Sequence, residues 1–305
     1  MHDVIIIGAG PAGYTAGIYC SRARHDTLLI SGILPGGQLM NTTDVENYPG
    51  FSDGIMGPDL MTVMRKQTEK MGTKIIDDEV TSVDFKNRPL KVKTASEEFE
   101  ARAVIVCTGA NPRKIGLEGE QTFAGKGVSY CATCDGAFFR DQELIVVGGG
   151  DSAMEEAIFL TKFASVVHIV HRKEEFRASK IMQERALSNE KIKVHFNSTV
   201  KEIHGDQKFQ QVVLNNTKTN EDKILEAGGL FIAIGHEPNS AIFQDQIELD
   251  GNGYIIIKNN TETNVTGVFC AGDVHDHRYR QAITAAGFGC MAAIDVDKYL
   301  SESST

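Results

Sequence analysis

Several short stretches of this chain are apolar at nearly every position: DVIII at the start, then TLLI, AVIV, LIVV, VVHIV and LFIAI. Unbroken runs of this length fit strands buried on both faces. The first runs from Asp3 to Ile7 and breaks at a glycine-rich turn, GAGPAGYTAGIYCSRA, that opens a helix. A second strand, turn and helix occupy residues 144–160, LIVVGGGDSAMEEAIFL. Between them, strand-like runs fall at 73–84, 90–94 and 103–107. ARAVIVCTGANPRK ends on a glycine and then a proline, and GGLFIAIGHEPNS at 228–240 ends the same way. Each exit is expected to be a crossing between domains, leaving 113–240 as an inserted unit. The segment NVTGVFCAGDVHDHRYRQAITAAGFGCMAAIDVDKYL then returns to the first domain as a strand to Cys270, a Gly272-Asp273 corner and a long helix. Polar, turn-rich residues 183–220 are expected to form strands and exposed loops, and SESST a frayed tail.

The two glycine turns share one spacing. Gly8, Gly10 and Gly13, with Pro11 and Ala12 between them, follow G-x-G-x-x-G. The first glycine allows the tight turn, the second lets backbone approach a pyrophosphate, and the third lets helix and strand pack closely. The N–H groups at the helix start then face the phosphates. Gly148, Gly150 and Ala153 repeat the pattern around Asp151 and Ser152, with alanine as the small third residue. Two such devices, far apart in the chain, predict an α/β protein with two Rossmann-like, three-layer nucleotide-binding domains.

The strand after each glycine turn ends on different residues. Dinucleotide sites usually carry an acid about 20 residues after the glycines, for the adenosine ribose. After the first turn Ser31 holds that place. After the second, VVHIV runs into HRKEEFRAS, so His171, Arg172, Lys173 and Arg177 stand there. A cationic group suits a 2′-phosphate, and hence NADPH over NADH. Asp273, at the last glycine corner, can accept hydroxyls from a ribityl chain.

Charge and composition narrow the function. The formal charge is −10, which gives general nucleic-acid binding little support. No apolar run approaches the roughly 18 residues of a membrane span, and the first residues lack the features of a secretory signal. A cytoplasmic location is expected. Six cysteines in 305 residues are not a disulfide scaffold, and Cys20, Cys107, Cys270 and Cys290 lie in apolar surroundings as small buried hydrophobes.

The remaining two stand in YCATCDG. Structural zinc wants four ligands, usually as two close pairs, and no second C-x-x-C exists. A purely structural disulfide between Cys131 and Cys134 would close a very short loop, of little chain-entropy benefit. Redox use fits better. A helix is expected after the pair, and its N-terminal field would stabilise a thiolate. Asp135, directly behind, is a candidate acid, with helix capping as its other role.

The combination of GAGPAGYTAGIY, GGQLMNTTDVENYPGF, CATCDG, GGGDSAMEEA, HRKEEFRAS and GVFCAGDVHDHRYRQA resembles the low-molecular-weight, bacterial-type thioredoxin reductases, over essentially the whole chain. The resemblance implies the FAD/NAD(P)-binding fold, with an NADPH domain at 113–242 inserted into an FAD domain at 1–112 and 243–305. It implies a homodimer with one FAD per subunit, acting on thioredoxin. Gly36, Gly37, Gln38, Leu39, Thr43, Glu46, Asn47 and Gly109 would belong to flavin-contacting segments. Gly272, Asp273, Arg280, Gln281 and Ala282 would surround the phosphate, ribityl chain and ring. Electrons would pass from NADPH through FAD into the Cys131–Cys134 disulfide and on to thioredoxin, with one domain rotating against the other between half-reactions. A related flavoenzyme serving a glutaredoxin-like protein or a peroxidase module is the alternative. This chain departs from the family pattern at Ser31, where other members carry an acid, and at Lys173, where HRR is common.

Overall fold

The computed structural model describes residues 1–33 and 35–302, so the last residues of the SESST tail lie outside it. The chain divides into two compact units, Met1–Asn111 with Glu237–Thr305, and Pro112–His236.

In the first unit, parallel strands Lys74–Ile76, Thr27–Ile30, His2–Ile7 and Glu98–Val106 lie side by side in that order. Val268–Cys270 adds a parallel neighbour on the far side of Glu98–Val106. The early part of that long strand instead pairs antiparallel with Leu90–Thr94, which pairs in turn with Val80–Asp84. The run expected at 73–84 is therefore two strands. Its first half continues the parallel sheet, and its second starts an antiparallel meander.

Alternation within the apolar runs explains why they are continuous. Val4, Ile6, Leu29, Ala103 and Ile105 face one core, together with the helices Pro11–Arg22, Gly57–Lys70 and Ala282–Glu302. Ile5, Ile7, Leu28, Val104 and Val106 face a second core, with Phe85, Val92 and Phe243. Burial on both faces removes any need for a polar face. The first and last helices pack nearly backbone to backbone: a Cβ built on Gly289 would lie 2.1 Å from the Ala12 carbonyl oxygen.

The second unit repeats the plan. Parallel strands run in the order Val128–Ser129, Gly229–Ile232, Glu143–Val147, Val166–Val170 and Ile192–His195. One face carries the helices Asp151–Leu160 and Lys180–Leu187, with Ala153, Ala157, Leu160 and Ala186 buried against it. The other face is covered by an antiparallel sheet of Ser198–Gly205, Phe209–Asn216 and Asp222–Glu226. The polar stretch 183–220 thus contributes the end of a helix as well as strands.

The two connections between units, Ala110–Pro112 and His236–Pro238, pair as a short ribbon. The chain rejoins the first unit at Glu237, ahead of the expected 243. The reason is packing: the Thr108 hydroxyl donates to the Asn239 carbonyl at 2.7 Å, and the Ser240 hydroxyl donates to the Gly253 carbonyl at 2.6 Å.

Candidate active site

The first glycine turn is built by close approach. A Cβ on Gly13 would sit 1.9 Å from the Gly8 carbonyl oxygen, so the helix starts against the strand end only because that side chain is absent. At Gly10 a Cβ would meet nothing within 4 Å, which leaves the helix start open. Pro11 occupies the first helical turn, and its fixed φ suits that position.

Other segments converge on this turn. The Gly36 N–H donates to the Ala9 carbonyl at 2.8 Å, bringing Gly37, Gln38 and Leu39 beside it. The Gln38 amide donates to Asn111 at 2.6 Å, close to Gly109 with its φ of +69°. The Gly57 N–H donates to the Thr43 carbonyl, and Asn47 donates to Gln281 at 3.4 Å. Gly272 packs on Ala12, and its neighbour Asp273 is partly buried. Asp276 accepts from the N–H groups of Arg278, Tyr279 and Arg280, shaping the loop that leads into Gln281 and Ala282.

Asp273 answers whether these residues fit a dinucleotide. Its Oδ1 is buried with no hydrogen-bond partner among the described residues. Burial, and then the charge of Asp276, push its carboxyl up to about 7, against a smaller opposing effect of Arg280. A buried acceptor without a donor is costly unless a ligand hydroxyl supplies one. Together with the open face at Gly10, this fits a dinucleotide carrying a polyol chain.

The second unit holds the other device and the sulfur pair. A Cβ on Gly148 would lie 2.4 Å from the Ala233 carbonyl oxygen, whereas one on Gly150 would meet nothing within 4 Å. The Arg177 and Ala178 N–H groups donate to the Gly149 carbonyl, and Asp151 accepts from the Ser179 N–H and hydroxyl. These bonds fold residues 171–179 over the turn. Arg172, Lys173 and Arg177 are exposed there, and no ion pair among the described residues involves them; Glu174 is taken by Lys218. His171 is different. Its ring is buried beside Gly149, its Nε2 bonds the Glu175 carbonyl at 3.0 Å, and burial holds its pKa below the usual value. A neutral His171 shapes the loop and leaves the positive charge to the other three.

Cys131 and Cys134 form a disulfide, with Cα atoms 5.3 Å apart. The helix expected after the pair is the single turn Ala132–Asp135, and it begins inside the motif with Cys131 at its cap. The N–H groups of Cys134 and Asp135 donate to the Cys131 carbonyl, so local hydrogen bonds hold the motif more than a long helix field does. Burial raises the pKa of Asp135, opposed by a hydrogen bond from Ser129. That serine also accepts the Cys131 N–H at 3.0 Å. The preceding Tyr130 donates to the fully buried Glu120 at 3.0 Å, and Glu120 also accepts from Ile115 and Gly116. Ser129, Tyr130 and Glu120 were not found from the sequence. The first two flank the cysteines, but Glu120 has no local signal beyond being an acid in a short helix.

A disulfide next to a carboxyl of raised pKa, in a unit with one dinucleotide turn, and a second such turn with a buried orphan acceptor fit a dithiol oxidoreductase that takes two dinucleotides. Residues 2–289 match the pyridine nucleotide-disulphide oxidoreductase family. The chain is 54% identical to a thioredoxin reductase of Streptomyces clavuligerus, covering 99% of this chain and 94% of that protein. It is 53% identical to one of Rickettsia bellii, covering 98% of each. A solved thioredoxin reductase of Giardia duodenalis superposes with a TM-score of 0.95 at 42% identity, over 98% of this chain and 99% of the other. One of Streptococcus pyogenes gives 0.94 at 44% identity, over 99% of each. The chain belongs to the pyridine nucleotide-disulphide oxidoreductase family, in its low-molecular-weight, bacterial-type thioredoxin reductase branch. Membership implies use of FAD and NADPH. No described helix is long and apolar enough to cross a membrane.

Proposed function

We propose that this chain is an NADPH-dependent thioredoxin-disulfide reductase whose Cys131–Cys134 disulfide is opened and remade at each turnover. The closed pair beside Asp135 is the observation that carries the reading. Bound FAD supplies a two-electron carrier between a nicotinamide and sulfur.

The first unit would hold FAD, with the Gly8–Gly13 turn at the pyrophosphate and Asp273 accepting a ribityl hydroxyl. Gly36, Gly37, Gln38, Thr43, Glu46, Asn47, Arg280 and Gln281 would line the same cofactor. The second unit would take NADPH on the Gly148–Ala153 turn, with Arg172, Lys173 and Arg177 at the 2′-phosphate. Two electrons and two protons convert the Cys131–Cys134 bond to a dithiol. One thiolate then attacks the thioredoxin disulfide to form a mixed disulfide, and the other attacks that bond, re-forming Cys131–Cys134 and releasing reduced thioredoxin. A carboxyl of raised pKa at Asp135 stays protonated nearer neutrality and can deliver a proton to a departing sulfur. Sulfur pair and nicotinamide site share one unit and need the same flavin face. A rotation about the two connections between half-reactions, in a cytoplasmic homodimer, completes the reading.

The test is anaerobic reduction by NADPH, followed at the flavin absorbance, for wild type and Cys134→Ser, alongside thioredoxin-coupled insulin reduction. Flavin reduction in both, with insulin reduction only in wild type, is expected. Equal insulin reduction by the variant would remove the pair from the reaction.

A further inference from the structure

Ser31 follows the strand Thr27–Ile30, where dinucleotide folds usually carry an acid for the adenosine ribose. The sheet supplies a carboxylate from elsewhere. In register, Ile30 sits between Ile7 and Ile76, so Gly8, Ser31 and Asp77 succeed them at the carboxyl ends of three adjacent parallel strands. The Ser31 hydroxyl is 2.8 Å from Asp77 Oδ1. Arg65, from the helix Gly57–Lys70, grips Asp77 with both terminal nitrogens, at 2.8 Å to Oδ1 and 3.0 Å to Oδ2. Its Nε donates to Glu69 at 3.0 Å.

From this arrangement we infer that Asp77, reaching in from the neighbouring strand and oriented by Arg65 and Ser31, supplies the carboxylate for the adenosine ribose of the dinucleotide on the first glycine turn. The inference rests on the FAD reading above. Exposure decides which group meets the ligand: the Ser31 residue is 5% exposed, whereas the Asp77 side chain is 51% exposed. Among the described residues Oδ2 accepts only from Arg65, so it keeps a lone pair for a ribose hydroxyl. The Arg65 hydrogen bonds, with that of Ser31, hold Asp77 below the usual carboxylate range, so it is an ionised acceptor at neutral pH. Selectivity is the consequence. A ribose bearing a 2′-phosphate would press its charge against this carboxylate, and the nearest guanidinium already serves two acids. The first turn therefore accepts a dinucleotide with a free 2′-hydroxyl and rejects NADPH.

The experiment uses full-length protein stripped of FAD, with flavin fluorescence quenching as the readout. The probes are FAD, FAD with a 2′-deoxyadenosine moiety, and FMN, which lacks the adenosine. In wild type the deoxy analogue should bind about tenfold more weakly than FAD, one charge-assisted hydrogen bond being worth that much. Asp77→Asn should weaken FAD by a similar factor, erase the difference between FAD and its deoxy analogue, and leave FMN unchanged. Ser31→Ala, which leaves the Arg65 grip in place, should keep FAD within about threefold of wild type. A deoxy penalty that persists in Asp77→Asn, or equal weakening of FAD and FMN, would reduce the trio to a staple between helix and strand. Wild type that bound FAD and was reduced by NADPH, yet lost nothing in Asp77→Asn, would overturn this inference alone. Wild type that bound no flavin would overturn the proposed function with it.

Discussion

The two glycine turns are one device used twice, and they differ where the device permits. Each joins a buried parallel strand to a helix, and each leaves its middle glycine facing open space. At the third position they part. Gly13 has its neighbour's carbonyl where a Cβ would go, whereas the second turn carries Ala153, whose Cβ packs beside Gly148. They part again at the end of the next strand. The first turn is followed by a serine hydroxyl and a carboxylate borrowed from the adjacent strand, the second by three exposed cations. On the function proposed above, phosphate binding would be carried by backbone common to both turns, and nucleotide identity by side chains beyond it.

The comparison breaks most severely at Gly13. Gly13→Ala places a methyl 1.9 Å from a backbone oxygen, which no rotamer change relieves. Helix and strand must separate, at a cost of about 3 kcal/mol or more. We expect little soluble protein, and a steep fall in thermal midpoint for whatever is recovered. A variant that bound flavin normally at the wild-type midpoint would show that the turn has slack the geometry denies.

Next comes the charge beyond the second turn. Removing one fork of donors with Arg172→Ala should raise the KM for NADPH by roughly ten- to a hundredfold and leave that for NADH unchanged, since only the former has a 2′-phosphate to lose. Steady-state kinetics with both donors decide it. Equal losses would mean that Arg172 supports the loop and does not read the nucleotide.

Legibility in the sequence depends on how local each feature is. Parallel strands buried on both faces leave continuous apolar runs, so DVIII, LIVV and LFI were legible, as were the glycines that their tight turns require. The split at 73–84 was not, because Lys74–Ile76 and Val80–Asp84 differ only in which strand they pair with. The return at Glu237, ahead of the expected 243, was not legible because it depends on Asn239 and Ser240 meeting the distant Thr108 and Gly253. The partners of the cysteine motif divide similarly. Asp135 is adjacent and was found, while Glu120 reaches Tyr130 only through the fold. Asp77 was invisible as a partner of Ser31 until sheet register brought them together.

A subtler contrast lies in pH. In the first unit the raised pKa of Asp273, in the proposed cofactor region, should tie folding to protonation. Asp273 would lose its proton near its ordinary 3.8 in the unfolded chain but keeps it to about 7 in the fold. The unfolded state therefore binds fewer protons between these values, and stability falls as pH rises through that window. Below it the contribution is fully present. In the FAD-free protein, the thermal midpoint of wild type relative to Asp273→Asn should decline from about pH 4 to about pH 7 and then level off. Parallel profiles for the two proteins would mean that Asp273 titrates as it does in water.

The smallest effect tests the third position from the other side. Ala153 is fully buried, beside Met154, Ala157 and the sheet residues Val146 and Phe231. Ala153→Gly removes one buried methyl and adds backbone freedom near a helix start, where glycine costs less than in mid-helix. The loss should be about 1 kcal/mol, seen as a modest drop in thermal midpoint. NADPH affinity should hold, because Gly148 and Gly150, which form the turn itself, are untouched. If the same exchange cost as much as Gly13→Ala, Ala153 would be setting the phosphate loop. The two turns would then be different devices, and a methyl at the third position would be a requirement of the second where it is forbidden in the first.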